Sequence, residues 1–308
     1  MSAYRALSAA AVVLAFIVVV MGAYVRLSDA GLGCPDWPFC YGEALPSEIA
    51  DRDALAKAWK EMGHRYLAGT LGVAIVLLAI GAWRRRRQAA LATAIVLLVA
   101  FQATLGKWTV TMLLKPAIVT AHLLGGMTTL ALLAWLALAQ WDHRPAPERR
   151  VLRASAAMAL ALLGVQIALG GWVSANYAAL ACPDLPLCRA QAMDFANAFH
   201  MVRDLGRTRE GELLPLAALV AIHWTHRVFA LVALSAVLVA AARAWRLARP
   251  LALVIGVLVL AQFALGVANV AAGLPLPLAA AHNAGAALVL VALVVLNFFA
   301  FRGLRFSP

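Results

Sequence analysis

Charged residues are scarce in this chain of 308 residues: they make up 13% of it, whereas hydrophobic residues make up 64%. So little charge excludes a soluble globular protein, because soluble domains contain about 25% charged residues. The mean hydropathy of +0.86 agrees with that exclusion. The composition is that of a protein that crosses a membrane several times.

Eight apolar runs are long enough to cross the hydrocarbon core of a bilayer, which is about 30 Å thick. They lie at about 5–27, 59–83, 90–112, 118–141, 153–175, 216–242, 251–271 and 279–300. The first run has too long an apolar core, and too few small residues at its end, to be a cleaved signal peptide. The sequence therefore predicts an all-α membrane protein with eight transmembrane helices.

Acidic residues are also few, 14 against 26 lysines and arginines, which gives a net charge of +12. The distribution of this charge argues against a nucleic-acid partner. With eight spans, the excess falls entirely on the side that holds both termini and the arginine run at 84–87, while the other side is balanced. By the positive-inside rule, both termini lie in the cytoplasm and the protein resides in a bacterial inner membrane.

Only four cysteines are present, in two groups of the form Cys-x5-Cys. Cys34 and Cys40 lie in one predicted outer loop, and Cys182 and Cys188 lie in another. The outside of an inner membrane is oxidising, so we predict two disulfides. Each is interpreted either as a structural staple or as a redox-active pair.

Two halves of the sequence repeat each other, with offsets of 148 early in each half and 160 to 162 later. The matched positions are Gly22 with Gly170, Cys34 with Cys182, His64 with His226, Gln102 with Gln262, Gly106 with Gly266 and His122 with His282. The growing offset indicates an insertion at 195–212. We predict two tandem four-helix bundles, 1–141 and 149–308, joined by a cytoplasmic linker at 142–148. A pseudo-twofold axis along the membrane normal would relate them.

Four histidines lie near the outer ends of the even-numbered spans: His64, His122, His226 and His282. Ionisable residues inside a span are costly and usually functional. A single membrane histidine is explained as well by an interhelical hydrogen bond, but two pairs at repeated positions favour ligands of a metal group. Zinc requires further ligands that neither pair offers. Two histidines from facing helices are a common way to hold haem at both axial positions.

Three arginines are candidates for binding haem propionates. Arg65 and Arg227 each follow a histidine directly, and Arg26 lies at the end of the first span. The alternative is that each arginine extends its charged end to the membrane surface. Glycines beside the histidines, such as Gly125 and Gly285, are expected to admit a flat ligand or a neighbouring helix.

One position differs between the halves. Glu61 lies three residues before His64, on the same helix face, where the second half has His223 before His226. Glu61 is suited to proton transfer, or else it is a glutamate in the first turn of a helix, stabilised by the helix dipole. His223 is predicted to make a hydrogen bond behind the ligand, with a proton carrier or alternative ligand as the other readings.

Together these features resemble the haem A synthase family, over essentially the whole chain. The residues that carry the resemblance are the loop 31–38 (GLGCPDWP), segment 61–65 (EMGHR), His122, segment 223–227 (HWTHR) and His282. Cysteine pairs in both halves place the chain in one subgroup of that family. The resemblance implies oxidation of the C8 methyl of haem O to the formyl group of haem A, through a hydroxymethyl intermediate, haem I.

The resemblance also implies roles for the two halves. The first, with His64 and His122, would hold the haem substrate, and Glu61 matches the family's catalytic carboxylate. The second, with His226 and His282, would hold haem B as an electron relay. Cys34 and Cys40, in the first half, match the pair associated with activity. Partners would be an electron donor such as quinol, a haem O synthase and further copies of the chain.

Two questions stay open from the sequence. A haem held by two histidines has no free position for oxygen, so either one histidine leaves transiently, or electrons are withdrawn and water attacks the methyl-derived cation. A di-haem cytochrome that passes electrons from quinol without changing either haem is the main alternative function. A transporter built from parallel repeats is a third, but it leaves the histidine pairs unexplained.

Overall fold

The computed structural model describes residues 3–47, 49–141, 150–186, 188 and 192–302. Within these ranges the protein is all-helical. The long helices are α1 (Ala3–Leu27), α2 (Arg52–Arg84), α3 (Ala89–Thr111), α4 (Pro116–Leu138), α5 (Arg150–Ala175), α7 (Leu216–Ala244), α8 (Arg249–Ala271) and α9 (Leu276–Arg302); α6 (Phe195–Ala198) is a single turn. All eight long helices are apolar and long enough to span a membrane, which confirms the predicted eight-span membrane protein. The predicted linker at 142–148 lies outside the described residues.

Helix α2 is longer than its predicted span, because it begins at Arg52 rather than near residue 59. Its first two turns carry charged side chains, and Asp51 caps its start by accepting a hydrogen bond from the backbone N–H of Asp53. Hydropathy detects only the part of a helix that lies in lipid, so these turns escaped the prediction. Glu61 is therefore nine residues inside the helix, which rules out the interpretation as a first-turn glutamate.

The same set of helix contacts occurs in each half. In the first half α1 and α3 both pack against α2 and α4, which closes a ring of four helices. In the second half α5 and α8 both pack against α7 and α9. Between the halves, α4 packs against α5 and α9, and α1 packs against α9.

The apolar core is deepest where the halves meet. Leu130 and Leu133 of α4 and Leu293 and Leu296 of α9 are all at most 1% exposed. A hydrogen bond also joins α9 to α5, because the side-chain amide of Asn297 donates to the backbone carbonyl of Ala156. The other faces of the helices expose apolar side chains, as a lipid-facing surface requires.

The insertion at 195–212 is folded against the C-terminal end of α5. Arg203 is 4% exposed, and its guanidinium donates to the Asn176 side chain and lies 5.6 Å from the Trp172 ring. Burial lowers the pKa of this arginine from its ordinary value. Lys115, at the start of α4, reaches Asp204 at 3.1 Å, so the insertion also contacts the first half.

Candidate functional site

Each of the four histidines packs against a glycine of the spanning helix that precedes its own. The pairs are Gly22 with His64, Gly106 with His122, Gly170 with His226 and Gly266 with His282. A Cβ built on these glycines would lie 2.9, 3.4, 3.0 and 3.1 Å, respectively, from the Cε1 atom of the imidazole. At Gly22, Gly170 and Gly266 a Cβ would force the imidazole to shift, so glycine allows each of these rings to approach the neighbouring helix this closely, whereas the contact at Gly106 is nearly ordinary.

The histidines lie in two pairs. His64 and His122 lie close enough for their charges to interact, and so do His226 and His282. The Nδ1 atoms of His64, His122 and His282 are buried without a hydrogen-bond partner. The four residues are only half-buried, so part of each side chain stays accessible.

Few other metal-binding side chains stand near these pairs. Across the described residues there is no group of three or more His, Cys, Asp or Glu side chains that could hold an ion. A tetrahedral zinc site needs at least three protein ligands. The pairs suit a group that takes two axial ligands.

Glu61 is 5% exposed, and both of its carboxylate oxygens are engaged. One accepts a hydrogen bond from the backbone N–H of Cys34 at 2.9 Å, and the other lies 2.5 Å from the Arg65 guanidinium. The carboxylate is thus fixed between the helix and the cysteine loop, one turn from His64. A buried carboxylate held in this way is oriented before any substrate arrives.

Arg65 also fixes the first cysteine loop. Its guanidinium donates to the carbonyl oxygens of Asp36, Pro38 and Phe39, at 3.0, 3.2 and 2.7 Å. The loop is closed by a Cys34–Cys40 disulfide, as predicted. The arginine after the histidine therefore holds a covalently closed loop against the N-terminal part of α2.

The second half repeats this arrangement with one change. Arg227 donates to the carbonyl oxygens of Cys182 and Asp184, and Cys182 is bonded to Cys188, as predicted. In the place of Glu61, the buried His223 accepts a hydrogen bond from Arg227 at 3.1 Å. The guanidinium of Arg227 thus donates to an imidazole, that of His223, whereas the guanidinium of Arg65 pairs with a carboxylate, that of Glu61.

Arg26 lies at the boundary between the halves. Its guanidinium donates to the carbonyl of Ser174 at 2.8 Å and stacks on the Tyr177 ring at 3.8 Å. It also lies 3.9 Å from Asp29. All three arginines proposed from the sequence as propionate partners therefore bind protein groups, and propionate binding stays a prediction for each.

The sequence reasoning missed which glycines face the histidines. Gly125 and Gly285, expected to admit a ligand, instead lie against the side chains of Gln102 and Gln262. The four glycines that do cradle the histidines had appeared only as markers of the repeat. For Gly106 and Gly266 the available signal was the offset of 160 that they share with His122 and His282; Gly22 and Gly170, offset by 148, gave no such signal.

His200, in the insertion, is half-buried, and its Nδ1 is buried without a hydrogen-bond partner. His143 lies outside the described residues.

The fold and the site define a multi-pass helical membrane protein with two histidine pairs, each beside a disulfide-closed loop. A family of cytochrome oxidase assembly proteins, COX15-CtaA, matches residues 5–294. A haem A synthase of Shewanella oneidensis is 41% identical over 93% of each chain. Haem A synthases of Halalkalibacterium halodurans and Alkalihalophilus pseudofirmus are 32% and 31% identical over 68% of this chain and 72% of theirs. The chain belongs to the haem A synthase family.

Proposed function

We propose that this protein converts haem O to haem A by oxidising the C8 methyl to a formyl group through the hydroxymethyl compound haem I. The observation that carries the proposal is the pairing of histidines at matched positions, with a buried carboxylate beside only one pair. The first half would bind the substrate at His64 and His122. The second would hold haem B at His226 and His282.

The residues present fit haem on three counts. Two histidines from different helices suit the two axial positions of haem iron. His64, His122 and His282 each have a buried Nδ1 atom without a hydrogen-bond partner, so polar capacity of these rings is left for a bound group. The glycines on the facing helices provide the close approach that bulky side chains would prevent. Bound haem B would supply one-electron redox chemistry.

Glu61 is the group that we assign to proton transfer. Changing a methyl to a formyl group removes two hydrogen atoms, adds one oxygen atom and withdraws four electrons. Dioxygen with an external electron donor, or water with an electron acceptor, would supply that balance, and in either case protons move beside the reacting carbon. Glu61 is buried and held by Cys34 and Arg65, and it shares a helix face with His64. His223 occupies the matched position in the second half, where the proposal requires no proton acceptor, and we assign it a hydrogen bond that supports Arg227.

The proposed architecture is two four-helix units, 1–141 and 149–308, related by a pseudo-twofold axis along the membrane normal. The repeated helix contacts support it, because α1 meets α9 as α5 meets α4. The arginine-rich ends place the termini in the cytoplasm and the haem sites near the outer face of an inner membrane. A haem O synthase would supply the substrate, and quinol is the proposed electron donor.

The test is to purify the protein in detergent, extract its non-covalent haems with acid and identify them by chromatography and mass. Haem B together with haem O, haem I or haem A is the expected result. Haem B alone, even when the host supplies haem O, would favour a di-haem cytochrome that passes electrons without changing its haems. Absence of any haem would overturn the assignment of the histidines as ligands.

A further inference from the structure

A haem substrate carries propionate carboxylates along one edge, so the proposed first-half site needs a cation that can pair with them. The side chains of Arg26, Arg65 and Arg227 all bind protein groups. The charge of Arg65 is also balanced by Glu61. A cation that has no such partner is therefore a better candidate for the propionates.

Lys60 lies one helical turn before His64 in α2, so the two side chains share a helix face. Both also meet α1. The His64 ring packs on Gly22, and the Lys60 ammonium lies 5.4 Å from the centre of the Tyr24 ring. At 1.5 Å per residue, the start of the lysine side chain lies about 6 Å from that of the histidine along α2.

Lys60 is half-buried, and no carboxylate of the described residues forms an ion pair with it. A contact with an aromatic face leaves the N–H donors of an ammonium able to bind a carboxylate. The other lysines are less suitable. Lys57 and Lys107 are exposed, so each side chain lies on the outside of the helix bundle. Lys115 is paired with Asp204 at 3.1 Å.

The second half has no lysine at the matched position. Ile222 stands there and is 1% exposed, and Trp172 stands where the first half has Tyr24. The cation near the Trp172 ring is Arg203 of the insertion, which is buried and bonded to other protein groups. The insertion thus fixes a cation where the first half has an unpaired lysine on a flexible stem.

We infer that Lys60 binds a propionate carboxylate of the haem substrate in the first half. This inference rests on the proposed function and deepens it, because it names the group that recognises the acidic edge of the substrate. The C8 methyl of haem is on the same pyrrole ring as one propionate. A propionate held at Lys60 therefore brings the reacting methyl to the level of α2 that carries Glu61, the next residue in the chain.

The test measures the binding of haem O and of haem O dimethyl ester, in which the propionates are blocked, to protein purified from a host without haem O. Absorbance during titration with each haem gives the dissociation constants. The wild type should bind the free acid more tightly than the ester. Lys60→Gln should weaken binding of the free acid by about 10- to 100-fold, the usual value of a hydrogen bond between charged groups. Its binding of the ester and its haem B content should not change.

Lys57→Gln is the matched control, because it removes the same charge from an exposed position one turn further along α2. Its dissociation constant for haem O should stay near that of the wild type, since exposed charges contribute little. Lys60→Arg retains a cation and should keep more of the affinity than Lys60→Gln.

Three results would overturn the inference. The first is equal affinity of the wild type for haem O and its ester, a comparison that decides even if no variant folds. The second is wild-type affinity for haem O in Lys60→Gln. The third is an equal loss of acid and ester binding in that variant, which would make Lys60 a structural residue that packs on Tyr24. A wild-type protein that binds neither form would refute the proposed function instead, so the two failures are distinguishable.

Discussion

The two halves share a scaffold and differ in the residue that the scaffold presents. In both, a histidine packs on a glycine, the next residue is an arginine that binds a cysteine loop, and a disulfide closes that loop. The difference lies three residues before the histidine, where Glu61 balances Arg65 while His223 only accepts a hydrogen bond from Arg227. The two halves thus share the glycine, the arginine and the disulfide that position the histidine and the loop. They differ in the side chain three residues before the histidine, Glu61 or His223.

The largest expected effect comes from removing the charge that distinguishes the halves. Glu61→Gln keeps the size of the side chain and one oxygen that can bind Arg65, but removes its ability to take up a proton. Haem A formation should fall by about 10²- to 10⁴-fold, the usual contribution of a general base. Haem A and its precursors would be measured in membranes supplied with haem O.

The matched control is His223→Gln, which changes the equivalent residue of the second half. It should lower haem A formation far less, because our proposal gives His223 no proton transfer. Haem content and the Cys34–Cys40 disulfide should persist in both variants. Normal conversion by Glu61→Gln would refute the proposed role of the carboxylate.

A second comparison separates the two arginines. Arg65→Ala removes the ion-pair partner of the Glu61 carboxylate, a residue that is only 5% exposed. Breaking a buried ion pair in this way costs about 3–5 kcal/mol of folding free energy. Arg227→Ala removes hydrogen bonds but leaves a neutral histidine, so about 1–3 kcal/mol is expected. The free energy of unfolding in detergent, followed by circular dichroism, measures both.

Arg207 offers a control, because it donates to a loop carbonyl from an exposed position. Arg207→Ala should change the unfolding free energy by no more than about 0.5 kcal/mol. If Arg65→Ala and Arg227→Ala lowered the unfolding free energy equally, the ion pair with Glu61 would contribute nothing to the stability of the fold. The double variant Glu61→Gln with Arg65→Ala should lose less than the sum of the single variants, because the two residues interact directly.

The helix count, the disulfides and the pairing of the histidines were predictable from the sequence. A run of apolar residues must match the bilayer thickness, and the spacing of two cysteines in an outer loop leaves few choices of partner. The repeated order of cysteines and histidines, with offsets of 148 and then 160 to 162, linked the two halves in the sequence.

The partners of Arg65 and Arg227 were not predictable. They bind backbone carbonyl oxygens, and every residue has such an acceptor, so the sequence carries no mark of the contact. The start of α2 at Arg52 was missed because charged turns beyond the bilayer have no hydropathy signal. The rotation of each helix about its axis decides which glycine contacts which histidine. Because these helices are hydrophobic on all faces, the sequence does not indicate that rotation.

The smallest expected effects come from the glycine cradles, and they test whether the halves hold their histidines equally. The Cβ contacts are nearly equal in the second half, 3.0 Å at Gly170 and 3.1 Å at Gly266, but unequal in the first, 2.9 Å at Gly22 and 3.4 Å at Gly106. Gly22→Ala must displace the His64 ring, and overpacking of this kind costs about 1–3 kcal/mol. Gly106→Ala should cost less, since 3.4 Å is close to an ordinary contact.

Unfolding free energies and haem content of the four alanine variants should therefore fall most for Gly22, then for Gly170 and Gly266 together, and least for Gly106. Gly69→Ala in α2 and Gly164→Ala in α5 are the controls, because a Cβ at either glycine would meet no atom within 4 Å. These two should be neutral or slightly stabilising, since alanine favours a helix over glycine. Equal losses at Gly22 and Gly106 would mean that the first half tolerates a shift of either histidine alike.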